Sequence, residues 1–166
     1  MKEAIKVIKG MVKEGLINDY AVGGGIAAMF YIEPFLTYDI DIFILIERRK
    51  EEKVVLLTPV YEYLEKKGYK WKGEHIIVEG IPVQFIPADE LESEAIRDAK
   101  KVMYEEVQTK VINPEYLIAI LLRAGRRKDV EKIEKILEEI KIDREKLIDI
   151  LRKYNLMDKI ERLRLL

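Results

Sequence analysis

The sequence predicts an α/β (α+β) domain with a mixed sheet, helices on one side of it, and a C-terminal helical extension. Three observations predict it. A short apolar strand, Tyr20 to Val22, runs through Gly23-Gly24-Gly25 into a helical segment. Tyr38 to Ile46 (YDIDIFILI) alternates at first and is then continuously apolar, as a central strand is. From Asn113 onward strand patterns stop and amphipathic helical spacing takes over. The chain thereby divides into an α/β part, residues 1–112, and a helical part, residues 113–166.

The elements follow in order. Ile5, Val7, Ile8, Met11 and Val12 recur at helical spacing within Lys2 to Glu14, and Gly15 is the stop. After the strand at Tyr20 and the glycine turn, Ile26 to Tyr31 reads as a helix, and Pro34 punctuates the loop that leads to the central strand. Thr58-Pro59 is a helix start, an N-cap followed by a first-turn proline, with Gly68 as the end. Trp71, His75 to Glu79, and Ile81 to Ile86 read as strands, the last two joined by a tight turn at Glu79-Gly80. A helix around Asp89 to Ala99 and a strand around Val107 to Ile112 complete the α/β part. Asn113-Pro114-Glu115 then starts a helix that Gly125 stops, followed by Lys128 to Ile140, Arg144 to Tyr154 and a short tail from Met157.

Composition narrows the chemistry. The chain has no cysteine and a single histidine, His75, so disulfides, thiolate zinc sites and cysteine nucleophiles are excluded. Any metal is held by carboxylates, which favours Mg²⁺ or Mn²⁺ over zinc. The 30 basic and 31 acidic residues nearly cancel, so charge alone gives no argument for nucleic acid. The N-terminal MKEAIKVIKGMVKEG is amphipathic rather than apolar, and no apolar stretch reaches the ~20 residues of a membrane span, so a cytoplasmic location is expected. A 37% charged fraction rich in Lys and Glu fits a thermophile.

The informative segment is Tyr20 to Leu45. Its glycines let the backbone turn tightly and approach a ligand, and a helix beginning there offers N–H groups to phosphate; the same turn is also found where it is only a turn. Asp39 and Asp41, at i and i+2 of a strand, project to one face. Two like charges beside an apolar run are costly unless a cation neutralises them, and paired oxygens suit Mg²⁺ shared with substrate phosphates.

Gly23-Gly24-Gly25 followed by Thr37-x-Asp39-x-Asp41 resembles the G-[GS]-x-D-x-D signature of the nucleotidyltransferase superfamily that includes DNA polymerase beta. More narrowly, the chain resembles minimal nucleotidyltransferases and the abortive-infection toxins of toxin–antitoxin pairs. The resemblance extends, in family order, through Gly80-Ile81-Pro82-Val83-Gln84-Phe85 and Asn113-Pro114-Glu115-Tyr116-Leu117 to Arg126-x-Lys128-Asp129. It implies a nucleoside triphosphate held by Gly23, Gly24, Gly25 and Thr37, with Asp39 and Asp41 as catalytic metal ligands. It also implies Lys128 on phosphate, and Asp129 orienting it or capping its helix. An RNA, protein or small-molecule acceptor and an antitoxin partner are implied in the same way. For Arg126 to Asp129 the alternative is an N-cap region with solvated charges.

The resemblance departs at one position. The family supplies a third carboxylate on a later strand, and the matching residue here is Gln84, an amide that takes no proton. Glu79 and Asp89 flank that strand as substitutes. Two readings follow: an active Mg²⁺-dependent enzyme transferring a nucleoside monophosphate, or a catalytically degenerate domain that binds nucleotide, RNA or a protein without turnover.

Other residues read as structural. His75 is a hairpin strand residue, Trp71 and Tyr69 pack at a sheet edge, and Tyr61, Tyr63 and Leu64 are helix packing positions. Glu131, Lys132, Glu134 and Lys135 form a solvated mixed-charge face. Arg123, Arg126 and Arg127 are the one basic cluster suited to RNA phosphate.

Overall fold

The computed structural model describes residues 1–46 and 57–166. Among them are eight helices and a seven-stranded mixed sheet of order β3-β4-β5-β2-β1-β7-β6. The strands are β1 (Asp19–Val22), β2 (Ile40–Leu45), β3 (Lys70–Lys72), β4 (His75–Val78), β5 (Ile81–Pro87), β6 (Lys100–Tyr104) and β7 (Val107–Val111). The helices are α1 (Lys2–Lys13), α2 (Gly24–Ala28), α3 (Thr58–Lys66), α4 (Glu90–Asp98), α5 (Pro114–Ala124), α6 (Arg127–Glu139), α7 (Arg144–Lys153) and α8 (Met157–Arg162).

β2 is central because its sequence tolerates burial on both faces. It pairs antiparallel with β1 and parallel with β5. Alternation then sends Tyr20, Val22, Ile42 and Ile44 to one face and Ala21, Asp41 and Phe43 to the other. Both sets carry apolar side chains that need covering, so helices occupy both sides of the sheet, where one was expected. α1 lies against β7 and beside α3, whose Tyr63 hydroxyl donates to Glu14 at 3.1 Å. α4 and α5 cover the Asp41–Phe43 face.

The strand absent from the sequence reading is β6. It is an edge strand opening on two lysines, with a largely exposed burial pattern, so it carries neither alternation nor an apolar run. Its hairpin to β7 turns at Glu105 and Glu106, with φ of 45° and 51°, in place of the glycine or asparagine that marks such turns. α2 also differs from expectation: it starts at Gly24 rather than Ile26 and is only five residues long.

α5 anchors the helical part to the sheet. Leu117 to Leu122 are buried without interruption, and α5 packs against α2, α4, α6 and α7. One buried apolar cluster therefore runs from the strands to Ile160. Gly125 ends α5 in the left-handed conformation, φ 66°, and redirects the chain so that α6 passes beside the N-terminal end of β2. No helix among the described residues is long and apolar enough to cross a membrane.

Candidate functional site

The site starts at the junction of β1 and α2. The Gly23 N–H donates to the Asp41 carbonyl at 2.9 Å, extending the β1–β2 ladder one residue into the turn. Gly24 then adopts φ +55°, and a Cβ there would stand 1.8 Å from Asp41 Oδ2. A Cβ on Gly23 would stand 2.1 Å from the Phe43 ring. The glycines are thus required chiefly by how closely the turn approaches the β2 side chains.

Asp39, just ahead of β2, and Asp41 within it line a cleft of about 360 Å³. The Thr37 hydroxyl lies 3.4 Å from Asp39 Oδ1 and against Gly25, tying the loop to the turn. Asp41 is raised above its ordinary pKa of 3.8, first by burial and then by the charge of Asp39. Arg126, Lys132 and Lys128 pull the other way. The opposite wall is α6, which presents Lys128, Lys132 and Lys135. These lysines are spaced four and three residues apart, so they fall on one helix face.

Asp129 does not line this cleft. It is fully buried and accepts from Arg126 Nε at 2.6 Å, from Arg126 Nη2 at 3.2 Å and from Lys132 Nζ at 3.5 Å. The N-cap of α6 is Arg126, whose side chain binds Asp129 rather than capping the helix. The position of Asp129 is behind the lysine row, where it holds Arg126 and Lys132 in place and leaves Lys128 to face the cleft.

No family model matches the sequence, and no curated protein matches it. Among solved structures, an antigenic nucleotidyltransferase-like protein from Paracoccidioides brasiliensis aligns over 96% of this chain and 93% of its own, with TM-score 0.56 and 16% identity. The antibiotic-resistance factor ANT(2'')-Ia in solution aligns over 92% and 89%, with TM-score 0.51 and 15% identity. The crystal structure of ANT(2'')-Ia with adenylyl-2''-tobramycin aligns over 93% and 98%, with TM-score 0.52 and 14% identity. This is the nucleotidyltransferase fold.

On that fold Gln84 is the direct neighbour of Asp41 across the parallel β2–β5 pair. With Gly24, Asp41, Phe43, Glu92, Arg123 and Arg126 it lines a second cavity, of about 400 Å³, so Asp41 is a wall shared by both cavities. Neither flanking acid reaches the site. Glu79 sits on a turn and accepts from the Tyr69 hydroxyl at 2.5 Å. Asp89 caps α4 through the N–H groups of Leu91 and Glu92 and binds Arg123 at 2.7 Å.

The basic cluster is largely neutralised. Arg123 is bound by Asp89 and by buried Glu92, and Arg126 by Asp129; Arg127 is exposed and 3.6 Å from Glu131. Among the residues that sequence reasoning missed are Lys132 and Lys135, which line the cleft, and His75, which meets Asp39 at its edge. Lys132 and Lys135 look like part of a solvated face in the sequence, although their register with Lys128 is the available signal. His75 looks like a plain strand residue in the sequence, yet its Nε2 lies 3.3 Å from Asp39 Oδ2. No sequence pattern announces that contact, which depends on the pairing of β4 beyond β5. Trp71 and Tyr69 stay away from the cleft: Trp71 meets Tyr61 edge-on at 4.5 Å and donates to Glu65.

Proposed function

We propose that this chain is a Mg²⁺-dependent nucleotidyltransferase. In the reaction an acceptor hydroxyl attacks the α-phosphorus of a nucleoside triphosphate, loses its proton, and displaces pyrophosphate. One observation carries the reading: the Asp39–Asp41 pair faces the row Lys128, Lys132 and Lys135 across a single cleft. Lysines on that wall suit phosphate charge, and paired carboxylates on the other suit a hard cation.

The donor set fits the metal. Burial and Asp39 both disfavour the charged form of Asp41, a cost that a divalent cation relieves. Among the described residues no group of three or more His, Asp or Glu forms a closed metal cage. Two carboxylates leave coordination positions for substrate phosphates, which is how Mg²⁺ is commonly held. Bound there, the ion would neutralise phosphate charge and make the attacking hydroxyl more acidic. Lys128 would hold the triphosphate, with Lys132 and Lys135 continuing the row.

A second reading, a catalytically degenerate domain that binds nucleotide, RNA or a protein partner, rests on Gln84. In register with Asp41 and unable to take a proton, it favours binding without turnover. The complex of ANT(2'')-Ia with adenylyl-2''-tobramycin supports including small-molecule hydroxyls with RNA and protein when acceptors are sought. A toxin role with an antitoxin partner is tested through the same acceptor search.

The deciding experiment is calorimetric titration of the four nucleoside triphosphates, with and without Mg²⁺, on wild type and on Asp39→Asn/Asp41→Asn. Metal-dependent binding that disappears in the folded double variant supports the site. Equal affinity in both proteins removes it. Pyrophosphate release across candidate acceptors then separates transfer from binding alone.

A further inference from the structure

Among the described residues, the large apolar side chains most open to solvent are Leu36, 76% exposed, and Tyr38, 75% exposed. Both line the cleft that holds Asp39 and Asp41. Their neighbour Phe35 packs against the core and has the Lys135 ammonium 5.9 Å from its ring centre. Thr37 sits between Leu36 and Tyr38, and its tie to Asp39 and contact with Gly25 hold the backbone from which both project. A pair of such side chains at a polar cleft, on an anchored loop, marks a surface that a ligand covers.

The charge around the pair says which part of a ligand. The wall opposite carries the α6 lysines, whose span from Lys128 to Lys135 is about 10 Å of helix, enough to follow several phosphate charges. A ligand laid along that wall with its phosphates needs an apolar, flat group at the cleft rim. We infer that Leu36 and Tyr38 form the platform on which the nucleobase of a nucleoside triphosphate stacks, and that this platform accepts all four common bases. The inference rests on the reading of the cleft as a triphosphate site. Base tolerance follows from the chemistry of the platform: every base has a π-face, and stacking does not read hydrogen-bonding edges. Leu36 contributes only hydrocarbon, and Tyr38 adds one hydroxyl at the ring edge.

The test compares nucleoside triphosphates with inorganic tripolyphosphate, both with Mg²⁺, on wild type, Tyr38→Ala and Tyr38→Phe. Tyr38 is exposed enough that neither variant disturbs the core, which thermal unfolding checks. In wild type all four nucleoside triphosphates are to bind more tightly than tripolyphosphate. Tyr38→Ala is to weaken each of the four by about 5- to 150-fold, the range of one lost base–aromatic stack, while leaving tripolyphosphate binding unchanged. Tyr38→Phe keeps the ring and is to retain the wild-type affinities. Unchanged nucleotide affinity in Tyr38→Ala overturns the platform, because the base then lies elsewhere. So does an equal loss for tripolyphosphate, which would place Tyr38 in support of the phosphate end. Failure of wild type to bind either probe overturns the triphosphate site itself, an outcome distinct from the other two.

Discussion

Alanine at Gly24 would put a methyl group where Asp41 already is. The added Cβ would lie 1.8 Å from Asp41 Oδ2, 2.7 Å from Cγ and 3.0 Å from Cβ, and Gly24 has φ +55°. Two costs combine. An L-residue held in the left-handed region loses about 1–2 kcal/mol. Making room in a packed site costs about 1–3 kcal/mol more through off-rotamer side chains or backbone shift. Gly24→Ala is therefore expected to destabilise the fold by about 2–5 kcal/mol. Gly15→Ala is the control, because Gly15 has φ +73° and nothing within 4 Å of the added Cβ. It bears the conformational cost alone, so urea unfolding of the two variants isolates the collision with Asp41. In an Asp41→Ala background the atoms at 1.8 and 2.7 Å are gone, and most of the collision term is expected to vanish. Gly24→Ala also displaces the Asp41 carboxylate, so Mg²⁺-dependent nucleotide binding is expected to be lost even where folding survives. A Gly24→Ala protein no less stable than Gly15→Ala, and still binding nucleotide with Mg²⁺, would refute the proposed packing of turn against carboxylate.

Two further predictions concern charge. Lys128→Ala is expected to weaken triphosphate binding more than binding of the matching nucleoside, by calorimetry; equal losses would mean that Lys128 does not touch phosphate. Asp41→Asn tests the cost of the buried carboxylate. With its folded pKa raised by burial and by Asp39, Asp41 binds its proton more tightly in the native state than in the unfolded chain. Its contribution to stability therefore falls as pH rises above the ordinary 3.8 through the raised value. The stability of Asp41→Asn relative to wild type, from urea unfolding without metal, is expected to grow over that rise, and a difference independent of pH would contradict it.

Much of this site was legible because its features are local. Gly23 to Gly25 and Asp39 to Asp41 lie within one strand–turn–helix–strand segment, and their spacing of two at the entry to β2 suggests a shared face, although β2 itself begins only at Ile40. Gln84 was legible through its place in β5, and the register with Asp41 locates it beside that carboxylate. What escaped depends on contacts distant in sequence. His75 reaches Asp39 only because β4 pairs with β5 and β5 with β2. Lys132 and Lys135 look like half of a solvated charge ladder until Gly125 turns α6 toward β2. Leu36 and Tyr38 were hidden for the opposite reason, since apolar residues near a central strand read as core and their exposure is visible only in three dimensions.

Asp41 is the residue on which the two functional readings divide. It borders the lysine-lined cleft on one side and the Gln84 cavity on the other. Binding a triphosphate needs only the first side: two carboxylates, a cation and the α6 row. Transfer needs the second as well, because the acceptor hydroxyl must approach the α-phosphorus and lose a proton. Besides Asp41 itself, the described residues on that second side include an amide, Gln84, and the carboxylate of Glu92, which is buried and already bound by Arg123. The lysine wall therefore serves the proposed nucleotide site, whereas turnover depends on how the proton leaves a cavity in which Gln84, the β5 neighbour of Asp41, accepts hydrogen bonds but not protons.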